Sequence, residues 1–304
     1  MNLLVNTDVG KQKIKLCLLK SVSTVFNHFR NQVKIMKKVL TIAGSDCSGG
    51  AGIQADLKTF AAHGVYGMSV IVSVVAENTS RVLDIQDVSP EMIQKQIDAV
   101  FEDIGADAVK VGMLSHPNCM EAVAHKLKEY KPHNVVIDPV MVAKNGCPLM
   151  DPDSVDTLIR KILPLADVLT PNIPEAEVIS DMKINSPEDM EQAAKIIHDF
   201  GAKNVLVKGG HAIGDALDIL FDGRQFYRFS TERIHTKNTH GTGCTYSSAI
   251  ASNLALGLDL ESAVRKAKDY ITTAIRHSLS IGKGCGPTHH FYELYQNGLP
   301  KGAK

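Results

Sequence analysis

The sequence predicts an α/β fold, doubly wound, with helices on both faces of a mainly parallel sheet. Three observations predict it. From Val39 onward, short apolar runs rich in β-branched residues alternate with longer stretches of helical periodicity, which is the signature of βαβ units. The chain has 304 residues, 44% of them hydrophobic and 22% charged, enough to bury one substantial core. No internal repeat or low-complexity linker divides it.

In chain order, strands are expected at Val39 to Ala43, Met68 to Val75, Ala108 to Val111, Val135 to Asp138, Val168 to Thr170 and Val205 to Lys208. Each is short and apolar, as strands covered on both faces must be. Helices are expected between them, at about Ile53 to His63, Pro90 to Ile104, Asn118 to Tyr130, Asp153 to Ile162 and Ser186 to Phe200. Leu217 to Phe221 and Phe226 to Ser230, separated by Asp222-Gly223-Arg224-Gln225, read as an antiparallel hairpin. Two long helices, about Gly243 to Ala255 and Leu260 to Leu279, close the domain.

Residues 1–35 are set apart. They carry Lys11, Lys13, Lys15, Lys20, Arg30 and Lys34 against Asp8 alone among acids, and their apolar pattern does not connect to that of the residues after them. An organellar targeting peptide has this composition. The alternative preferred is a disordered extension, or sequence upstream of a start at Met36-Lys37-Lys38. The domain is therefore expected over 36–304.

Thirty-three basic residues balance 33 acidic ones, so no global field favours nucleic acid or a membrane surface. No apolar run approaches the roughly 20 residues needed to span a bilayer. The six cysteines (Cys17, Cys47, Cys119, Cys147, Cys244, Cys285) show no CxxC pair and no zinc-like spacing, and a reduced cytoplasmic protein is expected.

Four segments carry chemistry. The first, Ala43-Gly44-Ser45-Asp46-Cys47-Ser48-Gly49-Gly50-Ala51-Gly52, is a glycine-rich turn that lets a ligand approach the backbone. Within it Gly50 to Ala55 fits the G-x-G-x-x-A pattern of dinucleotide folds, with Glu77 where a ribose-binding acid would lie. In those folds, however, the first glycine follows the strand almost at once, whereas Gly50 comes seven residues after Ala43. The second, Asn238-Thr239-His240-Gly241-Thr242-Gly243-Cys244-Thr245, opens a helix, so Gly241 to Cys244 would offer backbone N–H groups to an anion. The helix dipole is expected to lower the Cys244 thiol pKa; the plain alternative is a glycine-started helix with a buried cysteine. The third, Asp167-Val168-Leu169-Thr170-Pro171-Asn172-Ile173-Pro174-Glu175, suits a hydrated magnesium ion, or is simply a helix start. The fourth, Val207-Lys208-Gly209-Gly210-His211, puts a lysine where ligands bind in open α/β sheets, or else a solvated lysine before a turn. His289-His290 reads as a surface pair, and Cys47, Cys119 and Cys147 as spectators.

Together these segments resemble the hydroxymethylpyrimidine/phosphomethylpyrimidine kinases of thiamine biosynthesis, a branch of the ribokinase superfamily. The likeness runs from about Lys38 to Leu294, through AGSDCSGGAGIQADLKTF (43–60), KVGML (110–114), DPVMVAKNG (138–146), TPNIPEAE (170–177), VKGGH (207–211), NTHGTGCT (238–245) and GPTHHFYEL (286–294). The resemblance implies a ribokinase-like three-layer α/β/α fold with a mainly parallel central sheet, ATP with Mg2+ as donor, a small-molecule pyrimidine acceptor phosphorylated twice, and a homodimer. It places Cys244 at the residue that assists deprotonation of the attacking hydroxyl, with Lys208, Gly241, Thr242 and Gly243 as its catalytic companions. It implies ATP binding by Lys208, Thr239, His240, Gly241 and Gly243, and metal organisation by Asn172, Glu175 and Asp138. Gly44, Ala51, Asp56, Val75, Glu77 and Met113 would line the pyrimidine pocket. Glu77 departs from the glutamine of well-described members: an ionised glutamate only accepts hydrogen bonds, whereas glutamine also donates. A pyridoxal or pyridoxine kinase shares the GTGC turn and is the rival reading, but such relatives tend to carry a second cysteine where Ala143 stands. A non-catalytic ligand-binding protein and a nicotinamide-dependent dehydrogenase are the readings from other classes.

Overall fold

Capping chemistry sets the helix starts. Ser89 and Ser186 each accept a hydrogen bond from a first-turn N–H, and proline follows each of them at the first helical position. The computed structural model describes residues 36–142, 149, 154–210 and 215–298, with ten strands and nine helices among them. The strands are β1 (Lys38–Ala43), β2 (Tyr66–Ile71), β3 (Ser73–Glu77), β4 (Val82–Asp87), β5 (Ala108–Val111), β6 (Val135–Ile137), β7 (Val168–Leu169), β8 (Val205–Lys208), β9 (Ala216–Phe221) and β10 (Phe226–Thr231). The helices are α1 (Gly52–Ala62), α2 (Pro90–Asp103), α3 (Pro117–Tyr130), α4 (Ser154–Thr157), α5 (Ile173–Ser180), α6 (Pro187–Asp199), α7 (Thr242–Ala255), α8 (Leu260–Arg276) and α9 (Tyr292–Asn297).

The main sheet has eight strands in the order β10-β9-β8-β7-β6-β5-β1-β2. Its six strands β2, β1, β5, β6, β7 and β8 run parallel, and β9 and β10 turn back antiparallel as the hairpin expected from the sequence. Alternation along each strand splits the core in two. Leu40, Ile42, Val109, Val111 and Ile137 pack with α2, α3 and α6 on one face; Val39, Ala108, Val136 and Leu206 pack with α1, α7 and α8 on the other. The three-layer α/β fold is the one the sequence predicts. No helix among the described residues is long and apolar enough to cross a membrane.

Three expectations need correction. The single strand Met68 to Val75 is two: β2 stays in the sheet, the chain leaves it at Val72, and β3 pairs antiparallel with β4 as a separate ribbon. β4 was not expected, because its side chains are mostly exposed and make no apolar run. The helix expected over Asp153 to Ile162 is one α-turn followed by a π-turn (Leu158–Ile162), since Pro164 removes a backbone donor just beyond; Asp153 itself lies outside the described residues. Nor are His289 and His290 a surface pair: His290 is buried and its Nε2 lies 3.0 Å from the Thr245 hydroxyl. Residues 1–35, Ala143, Cys147 and His211 also lie outside the described residues.

Candidate active site

β1 lies between β2 and β5, so the chain winds one way from β1 to β2 and the other way afterwards. Open α/β sheets hold ligands at the carboxyl ends of strands beside such a reversal. Here that edge carries Gly44 after β1, Met113 after β5, Asp138 after β6, Asn172 after β7 and Lys208 at the end of β8, around a cleft of about 1070 Å³.

At one end the glycine-rich loop is organised by Asp46. Its carboxylate accepts N–H bonds from Ser48, Gly50 and Ala51 and lies 2.8 Å from His240 Nε2. Burial opposes its charge, but the bonds from His240, Ser48 and Ala51 outweigh that and hold the carboxyl well below the usual carboxylate range. The ligand atoms of Asp46, Glu77 and His240 lie within 4.8 Å of one another. With Asp46 already accepting from so many donors, the cluster is a hydrogen-bond hub rather than a cation site.

Glu77 sits on β3, outside the main sheet, which removes it from the ribose-binding position of a dinucleotide fold. Burial and the negative charge of Asp46 push its carboxyl up to about 7, against the opposing His240. Unfolded, it ionises near 4.5. The stability present below pH 4.5 is therefore lost as pH rises toward about 7. Glu77→Gln is expected to raise Tm at pH 8 and leave it nearly unchanged at pH 4.5. Thermal melts at the two pH values check this, and equal shifts would assign the effect to packing.

At the other end, Lys208 Nζ donates to Asp138 Oδ1 at 2.6 Å, and the Thr170 hydroxyl donates to the same oxygen at 3.2 Å. Asn172 and Glu175 form a reciprocal capping box at the start of α5: Glu175 N–H donates to Asn172 Oδ1 and Asn172 N–H to Glu175 Oε2. Burial pushes the Glu175 carboxyl up to about 7, although Lys208 pulls it down.

Between the two ends, α7 presents its N-terminus. Gly241 has φ +76°, and a Cβ there would stand 1.8 Å from the Gly50 carbonyl oxygen, so only glycine fits. A Cβ on Gly243 would lie 3.2 Å from Asp138 Oδ2 and 3.6 Å from Lys208 Nζ, so its absence keeps open the space where the carboxylate, the ammonium and the helix end converge. The first-turn N–H groups of Gly243 and Cys244 have no carbonyl of their own helix to bond. Cys244 departs from expectation: burial raises its thiol to about 11, with Asp56 and Asp138 adding to it and Lys110 and the Gly52 N–H opposing. Desolvation outweighs the helix end.

Every other residue expected at the site lines this cleft except Asp56. Its carboxylate is fully buried beneath the floor, accepting from the Thr41 hydroxyl (2.6 Å), Lys110 Nζ (2.9 Å) and the Ser248 hydroxyl (2.7 Å), which removes it from the pyrimidine-binding set. His240 lines the cleft with two of its donors engaged inside the protein: Nε2 lies against Asp46 and its backbone N–H donates to the Gly286 carbonyl.

Over residues 46–289 the chain matches the sequence profile of a family described as phosphomethylpyrimidine kinase. The chain belongs to that family. The thiamine biosynthesis bifunctional protein ThiED of Geobacter sulfurreducens is 53% identical over 253 residues, covering 83% of this chain and 52% of that protein, so the chain spans about half of that relative's length. The hydroxymethylpyrimidine/phosphomethylpyrimidine kinase of Haemophilus influenzae is 48% identical over 262 residues, covering 84% of this chain and 97% of that one. The crystal structure of an ADP complex of Bacillus subtilis pyridoxal kinase superposes with a TM-score of 0.79 at 42% identity, covering 84% of this chain and 98% of that chain. As a member of the phosphomethylpyrimidine kinase family the protein is an ATP-using phosphotransferase. Sequence patterns alone do not reveal Asp46 and Lys110, because the Asp46–His240 contact and the Lys110–Asp56 ion pair each join residues far apart in the chain. Nor do they reveal Tyr246, Ile271 and Ile275, which wall the Lys208 end of the cleft; the last two carried a signal in their i, i+4 spacing on α8.

Proposed function

We propose that the protein transfers the γ-phosphoryl group of ATP to the hydroxymethyl group of 4-amino-5-hydroxymethyl-2-methylpyrimidine and then to the phosphate of the resulting monophosphate, giving the diphosphate used in thiamine biosynthesis. One observation carries this: within a single cleft, the helix end at Gly241 to Cys244 lies with Gly44, Val75, Glu77 and Met113 as well as with a lysine–carboxylate cluster suited to phosphates. The acceptor lies against Gly44, Ala51, Val75, Glu77 and Met113. At neutral pH part of the Glu77 population is protonated and can donate as well as accept, which restores the pattern a glutamine would offer. Tyr246, Ile271 and Ile275 give the nucleotide base an apolar seat.

In the transfer, the substrate hydroxyl oxygen forms the new bond to the γ-phosphorus as the bond to the β-phosphate oxygen breaks and ADP leaves. Lys208 and the N–H groups of Gly243 and Cys244 stabilise charge spread over the equatorial oxygens, and the Cys244 thiolate takes the hydroxyl proton. Because the thiol sits near 11, that proton is taken by a minor species and turnover rises with pH through neutrality.

Magnesium fits the oxygen-only donor set. Asp138, Asn172 and Glu175 would hold it largely through water, since the capping box and Lys208 already engage several of their oxygens. When bound, the ion neutralises charge on the phosphates. A homodimer belongs to the same proposal, and the exposed Val74 and Leu83 on the β3–β4 ribbon support it. The unpaired Cys47, Cys119, Cys244 and Cys285 suit a reducing, cytoplasmic location.

The testing experiment compares kcat/KM, with ATP and magnesium, for the hydroxymethylpyrimidine, its monophosphate and pyridoxal, using the chain from Met36. Preference for the pyrimidines is the expected result. Preference for pyridoxal would move the protein to vitamin B6 salvage.

A further inference from the structure

Lys110 and Asp56 form an ion pair in which neither side chain has any solvent exposure. Lysine and aspartate are almost never buried so completely, and an apolar pair of the same shape often gives equal or greater stability. Stability alone is thus a weak reason for the pair. Its position supplies another. Gly52 and Asp56 are four residues apart on α1; Cys244 and Ser248 are four apart on α7. The two helices pair off in layers: the Gly52 N–H reaches Cys244 in the layer facing the cleft, and Asp56 accepts from the Ser248 hydroxyl one turn further in. Lys110 rises from β5 into the same place, where a Cβ on Gly112 would stand 2.6 Å from its Nζ.

We propose that this buried pair sets the charge balance behind Cys244, with Lys110 as a positioning residue that supplies the positive counter-charge for the thiolate and Asp56 as the brake that partly cancels it. The proposal rests on the reading of Cys244 as proton acceptor. Six influences bear on that sulfur: Lys110 from β5, Asp56 and the Gly52 N–H from α1, Asp138 after β6, Lys208 from β8, and the end of α7 itself. Lys208 and Asp138 lie on the phosphate side, where ATP and a metal engage them. The Lys110–Asp56 pair is sealed from ligands, so its effect is the same at every stage of the cycle. Lys110 opposes burial and Asp56 at the thiol.

The two charges act in opposite directions, so they can be told from a packing role. The experiment measures the rate of iodoacetamide alkylation at Cys244 at pH 8, read by mass spectrometry of its peptide in the full chain. Cys244 lines the cleft and is reachable. Lys110→Met is expected to slow alkylation about tenfold, as one unit of thiol pKa would, and Asp56→Asn to speed it by a similar factor. Thermal melts establish that both variants are folded. Should Lys110→Met not fold, Lys110→Met combined with Asp56→Asn leaves no buried charge in the pair and is expected to react about tenfold more slowly than Asp56→Asn alone. Rates that fall in both single variants, or that change in neither, would overturn the proposal. Alkylation requires no turnover, so this outcome is independent of whether Cys244→Ala retains activity.

Discussion

Replacing Cys244 by alanine is expected to lower kcat by about 10²- to 10⁴-fold, the range for losing a positioned proton acceptor, with KM for ATP changed little. Alanine keeps the backbone N–H at the start of α7 and the glycine turn before it, so the phosphate-binding end of the site survives. The decisive signature is the pH profile. In the parent enzyme log kcat/KM should climb between pH 7 and 9, because burial holds the thiol near 11 and each unit of pH multiplies the thiolate fraction. In the alanine variant that slope should vanish. An alanine enzyme with unchanged kcat would show that the sulfur takes no part in the chemistry.

Lys208→Met should act on both activity and stability. Asp138 is almost wholly buried and Lys208 is its ion-pair partner at 2.6 Å, so removing the ammonium strands a carboxylate beneath the cleft. Breaking one side of a buried pair costs about 3–5 kcal/mol. Glu175 would suffer as well: the charge of Lys208 is the largest influence that keeps its pKa down against burial, and without it the carboxyl would stay protonated further into the alkaline range. Turnover is expected to fall about 10³-fold through loss of the cation facing the transferring group, and urea unfolding should report the lost stability. A second substitution, Asp138→Asn, should recover most of the stability and none of the activity. If Lys208→Met alone unfolds at the same urea concentration as the parent, the ion pair is not a structural element of the folded chain.

Sequence alone reached the layer architecture because parallel strands buried on both faces leave continuous apolar runs, as in Val135 to Ile137 and Val205 to Val207. Helix starts were legible where a cap and a proline stand together, as at Ser89-Pro90 and Ser186-Pro187. The β3–β4 ribbon was not, since Val82 to Asp87 mixes exposed apolar and acidic side chains and offers no buried face to detect. Within the site, Cys244, Lys208, Asn172 and Glu175 could be found because each follows a strand end or opens a helix, positions that local patterns mark. The role of Asp56 could not. Its partners Lys110 and Ser248 lie 54 and 192 residues away, and only the crossing of α1, α7 and β5 brings them together. The same holds for the Cys244 thiol, whose environment is set by burial and by charges from four different elements, while its own helix suggested the opposite shift.

The contact between Gly241 and the Gly50 carbonyl has a thermodynamic consequence for ligand recognition. The two loops that would grip the donor and the acceptor are braced against each other in the folded chain, and Asp46 and His240 tie them again. The conformational entropy of ordering these loops is therefore lost once, at folding, rather than at every encounter with substrate. A cradle ordered in advance should bind its first ligand with a small structural rearrangement and a correspondingly small heat-capacity change beyond that of the apolar surface it covers.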